Sequence, residues 1–103
     1  MKPVYINFTD EEGKKTKTFT TCSLKTGAMD NLFELAEKAG KLEDGSMGVT
    51  EIRNFYQDLK SFILAIFSYQ FSLEELNENV EANELMEVFY DIVGNIKGEM
   101  GKN

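Results

Sequence analysis

Val4-Tyr5-Ile6-Asn7-Phe8-Thr9, then Asp10-Glu11-Glu12-Gly13-Lys14-Lys15, then Thr16-Lys17-Thr18-Phe19-Thr20-Thr21-Cys22 reads as a β-hairpin at the head of an otherwise helical sequence. Val4, Ile6 and Phe8 alternate with Tyr5, Asn7 and Thr9, the period of a half-buried strand. The polar stretch around Gly13 is a turn, and the β-branched residues around Phe19 fit a returning strand. Two strands alone are marginal in water. The apolar face of residues 1–22 therefore needs a cover, and residues 26–97 supply it.

From Thr26 the apolar period becomes helical. Met29, Leu32, Phe33, Ala36 and Ala39 fall on one face, with Gly40 expected as the left-handed stop. Lys41 to Gly48 reads as a mobile loop. Thr50 is expected to cap a longer helix with Ile52, Phe55, Tyr56, Leu59, Phe62, Ile63, Ile66 and Phe67 on a broad inner face. Ser72-Leu73-Glu74-Glu75 is a capping box that opens a short helix ending near Asn79. A last helix is expected from Ala82 to Ile96, with Leu85, Phe89, Ile92, Val93 and Ile96 inward and Gly98 past its end. The expected fold class is α+β: an N-terminal β-hairpin packed on a small bundle of about four helices. It forms a single domain, with residues 98–103 as a flexible tail.

Composition fits one ordinary globular domain: 103 residues, 42% apolar and 28% charged. Eighteen acids against eleven bases give −7, which disfavours nucleic-acid and anionic-membrane partners. The N-terminus lacks the apolar stretch of a signal peptide, and the most hydrophobic run, Phe62 to Phe71, falls well short of the about 20 residues a membrane span needs. A single cysteine, Cys22, makes no internal disulfide, so the reduced cytosol is the expected compartment and a small buried hydrophobe its expected role. Acids accumulate late. Between Lys60 and Lys97 there is no base, while Glu74, Glu75, Glu78, Glu81, Glu84, Glu87 and Asp91 follow one another. They read as a solvated face or as an acidic rim that steers a basic amphipathic partner.

Motifs that suggest chemistry fail on inspection. Asp44-Gly45 followed by Glu51 resembles half of a calcium loop, but Gly40 and Leu42 stand where the first ligands belong. Calcium is therefore not expected to shift the melting temperature. Gly13-Lys14-Lys15-Thr16 precedes a strand, whereas a phosphate loop must feed a helix. There is no histidine, and Glu74 and Glu75 are accounted for by the dipole of the helix they open. No enzyme, metal site or cofactor is expected. The surplus lies instead in eight Phe, four Tyr and five Met. Tyr69, Phe71, Leu76, Met86, Phe89 and Tyr90, gathered in the acidic half, are the candidate partner-binding residues.

Phe67-Ser68-Tyr69-Gln70-Phe71-Ser72-Leu73-Glu74-Glu75-Leu76 resembles the F-x-x-Q-F-[ST]-x-[DE]-[DE]-L stretch of tail assembly chaperones from phages of Gram-positive hosts. The order of hairpin and helices is similar too. Asn79 stands where that family pattern leads one to expect glycine, and asparagine tolerates a left-handed turn. The resemblance implies a non-catalytic chaperone that binds the tape measure protein and tail tube subunits. It would act in the host cytoplasm, be absent from the mature virion, and leave room for a homo-oligomer. It also implies a longer frameshifted product, for which Gly101-Lys102-Asn103 is the candidate slippage point. The alternative is an acidic DNA mimic that inhibits a host DNA-binding protein.

Overall fold

A computed structural model describes residues 1–100, with side chains through Gly98. Strand β1 (Val4–Thr9) pairs antiparallel with β2 (Lys15–Thr21). A 3-10 turn at Thr26–Ala28 leads into α1 (Met29–Glu43), followed by α2 (Val49–Ile66), α3 (Leu73–Asn79) and α4 (Ala82–Met100). The hairpin and helices together are the α+β architecture expected. Asp10 organises the turn: its Oδ1 accepts from the N–H groups of Glu12 and Lys14, both at 2.9 Å. Gly13 supplies the φ of +82° that the turn demands. The register pairs Ile6 with Phe19 and Phe8 with Lys17, and a bulge falls between Phe8 and Thr9. β2 is thus Lys15–Thr21, and Cys22 lies beyond it, exposed rather than buried.

Val4, Ile6 and Phe8 are buried, and the hairpin is pinned by an aromatic cluster. Phe8 meets Phe19 in a tilted contact at 4.8 Å and Phe71 edge-on at 5.3 Å, and Phe71 lies 5.7 Å from Phe67. On the other edge of β1, Asn7 donates its backbone N–H to Glu84 Oε2 of α4 at 2.8 Å. Within the helical part, α1 lies against α2, and α2 also packs on α3 and α4.

Three helix boundaries differ from expectation. α1 runs through Gly40, because Leu42 beyond it packs on the core. It stops at a Schellman motif, in which Ser46 N–H reaches Lys41 O, Gly45 N–H reaches Leu42 O, and Gly45 takes φ +77°. Its inner face is Leu32, Leu35 and Ala39, which turns Phe33 outward at 48% exposure. The cap of α2 is Gly48, not Thr50, and Glu51 accepts the Gly48 N–H. α4 passes Ile96 and Gly98 to Met100, so residues 98–100 of the expected tail are helical. Gly101-Lys102-Asn103 lies outside the described residues.

The capping box of α3 forms as expected: Glu75 N–H donates to Ser72 Oγ at 3.1 Å, and Ser72 N–H to Glu75 Oε1 at 3.0 Å. Asn79 does not turn left-handed. The helix ends instead through an extended Val80, and Asn79 Nδ2 donates back to Glu75 O.

Candidate functional site

The end of α3 creates an opening. Because Val80 is extended and α4 begins at Ala82, the two helices diverge over a groove of about 430 Å³. Tyr56 and Lys60, one turn apart on α2, form one wall, and Ala82 and Leu85 of α4 form the other. Leu76 and Val80 floor it, with Asn77 at the side. Ala82 is the smallest side chain of the lining, which leaves the groove open at the start of α4.

Further along the same stripe of α4, Met86 is half-buried and Tyr90 is 41% exposed. The positions 82, 86 and 90 follow one another at four-residue spacing. The Tyr90 hydroxyl donates to Glu43 Oε1 at the end of α1. That bond, together with partial burial and the negative carboxylate, pushes the phenol pKa up to about 12. Tyr90 is therefore a tethered ring at the surface.

The six sequence candidates separate. Tyr69 and Tyr90 are exposed, and Met86 is half-buried. Phe71, Leu76 and Phe89 are buried at 3%, 2% and 0% exposure, Leu76 and Phe89 on the inward stripes of their helices and Phe71 among the rings of Phe8, Phe19 and Phe67. Phe71 and Phe89 belong to the core and present nothing to a partner, while Leu76 reaches the groove only as its floor. Tyr69 stands apart on the α2–α3 corner, 72% exposed and held at φ +56°. Tyr56, Lys60, Val80, Ala82 and Leu85 were not among the candidates. The one cue to them was the break at Asn79-Val80-Glu81 after so short a helix.

The acidic run also separates by role. Glu84 accepts from both the backbone and the side-chain amide of Asn7, so it holds β1 to α4. Glu75 caps α3, while Glu78 and Glu81 are exposed near the groove. In the α1–α2 loop, Asp44 accepts from the hydroxyl and the N–H of Ser46, which hold its carboxyl below the usual range. Glu51 is engaged as a helix cap. Among the described residues no group of three His, Cys, Asp or Glu side chains is placed to hold a metal, and no helix is long and apolar enough to cross a membrane.

A family model described as phage tail chaperone protein matches residues 1–103. No curated protein and no solved structure matches the chain. An acidic fold with an open apolar groove suits that description, and the match spans hairpin and helices alike. The chain belongs to the phage tail chaperone family.

Proposed function

We propose that the protein is a non-catalytic chaperone that binds apolar helical stretches of the tape measure protein in the groove between α2, α3 and α4. The observation that carries this reading is the open apolar groove itself, on a chain with net charge −7. A long helical protein that waits for a tube to polymerise around it exposes apolar stripes, and such stripes aggregate. A groove floored by Leu76 and Val80 covers one stripe, and the acidic exterior keeps the complex soluble. Tyr90 and Met86 extend the contact along α4 with an amphipathic ring and an adaptable thioether. Tail tube subunits are the second partner in this reading, met in the host cytoplasm before the virion is complete.

Co-expression tests it. A tape measure fragment that is insoluble alone is expected to remain soluble with this protein, and the complex is expected to survive 0.5 M salt, about a 4 Å Debye length. An acidic mimic of DNA would bind through charge and release its partner at that ionic strength. A fragment that stays insoluble beside this protein, or a soluble complex that falls apart at 0.5 M salt, would contradict the chaperone reading.

A further inference from the structure

The hairpin has a second surface, independent of the groove. Asn7 N–H points away from β2, toward Glu84, so Asn7 and its partner Thr18 form a pair that exchanges no ladder bonds. The backbone N–H and C=O of Thr18 therefore face the outer edge of β2. Two residues on, Thr20 faces the same way, and its C=O accepts from Gln70 Nε2 at 3.0 Å. The Gln70 amide thus stands where a neighbouring strand would. Among the described residues nothing pairs with the outward groups of Thr18 or with the outward N–H of Thr20.

The charge here is opposite to that of the whole chain. Residues 14–29 contain Lys14, Lys15, Lys17 and Lys25 and no acid, and all eighteen acids lie elsewhere. Lys15 and Lys17 are exposed and make no ion pair among the described residues, whereas Lys14 lies 3.8 Å from Glu12. Between the lysines and the Gln70 stop, Phe19 is only half-buried against Phe8 and Phe71.

We propose that the outer edge of β2 is a docking surface for an extended acidic segment of a partner chain, added as a third strand. Backbone bonds go to Thr18 and Thr20, carboxylates of the added strand meet Lys15 and Lys17, and an apolar residue covers Phe19. The Gln70 amide limits the added strand to the lysine side of the edge. Lysines on an edge strand also serve to keep strands of other copies away. The two roles make opposite predictions.

The experiment uses the full chain and a fluorescein-labelled Thr-Val-Thr-Glu-Thr-Glu peptide, whose valine and glutamates share one face as Phe19 and Lys17 do, with the Lys-for-Glu version as control. The acidic peptide is expected to bind and the basic one not. Thr18 amide exchange is expected to slow about tenfold on binding, while Asn7 exchange is unchanged. Lys15→Glu with Lys17→Glu is expected to weaken binding by about tenfold or more. Thr18→Pro is expected to abolish it, since proline removes the outward N–H that the added strand would bond, while the ladder to β1, to which Thr18 contributes no bond, stays intact. Ala82→Trp, which fills the groove, is expected to leave peptide binding unchanged. Equal binding of both peptides, no binding of either, or an unaltered affinity in the lysine variant would overturn the proposal. Self-association of the lysine variant without any peptide binding by the parent chain would assign the lysines to edge protection instead.

Discussion

Ser68 and Tyr69 occupy a conformation that L-residues avoid, with φ of 54° and 56°. They close α2 with a Schellman motif: Tyr69 N–H reaches Leu64 O at 2.9 Å, and Ser68 N–H reaches Ala65 O at 3.0 Å. Serine at this position carries a steric penalty that glycine lacks. Ser68→Gly is therefore expected to stabilise the fold by about 0.5–1 kcal/mol, read as a higher urea midpoint at unchanged slope. Nothing in the sequence marks this turn, because neither residue is a usual left-handed former. Tyr90 offers a second test at this scale. Its hydrogen bond to Glu43 requires the protonated phenol, so the folded state holds that proton up to about pH 12, whereas an unfolded tyrosine ionises near 10.0. The contribution is complete below pH 10 and is lost as pH rises toward 12. The melting temperature of the native chain is expected to fall more steeply over that interval than that of Tyr90→Phe. Parallel curves would mean that the bond adds nothing.

Between elements, the hairpin is held to the helices by two unlike contacts. One is the ring cluster of Phe8, Phe19, Phe67 and Phe71, and the other is the Glu84 carboxylate on the edge of β1. Glu84→Ala leaves the Asn7 N–H without its acceptor at a part-buried edge. This is expected to cost about 1–2 kcal/mol in urea unfolding and to speed Asn7 amide exchange, with the Phe cluster unaffected. Element type was legible where chemistry is local. The alternation of Val4, Ile6 and Phe8 and the reciprocal bonds of Ser72 and Glu75 are both readable from adjacent residues. Boundaries were not, where tertiary packing decides. Gly40 signals a stop, yet burial of Leu42 carries α1 one turn further to Gly45. For the same reason Phe33 and Leu35 exchange inner and outer places: residues two apart on a helix compete for one face, and only the position of α2 selects between them.

For the molecule as a whole, the division of aromatic residues between core and surface is what a linear reading could not make. Phe71, Phe89 and Tyr90 stand together among the candidates, but only Tyr90 reaches the surface, while Phe71 is buried in the α2–α3 corner and Phe89 inside α4. The groove arises from a gap between α3 and α4, and a gap has no residue pattern of its own. Its floor was partly legible, in Leu76. Its walls at Tyr56 and Ala82 came only with the packing of α2 on α4. The resemblance carried by Phe67–Leu76 pointed to the family that the whole chain matches. Yet most of that stretch builds the corner between α2 and α3 rather than the groove. Steering by charge and burial in the groove are separable contributions, since apolar contact persists in salt and rim electrostatics does not. The most direct test of groove binding is the affinity of a soluble tape measure fragment for Ala82→Trp beside the native chain, by calorimetry. Ala82 is exposed at the first position of α4, so the indole fills the groove without disturbing the core. The account predicts an unchanged circular dichroism spectrum and a loss of affinity of about 1–3 kcal/mol, roughly tenfold to a hundredfold. Native affinity in the folded Ala82→Trp variant would contradict it.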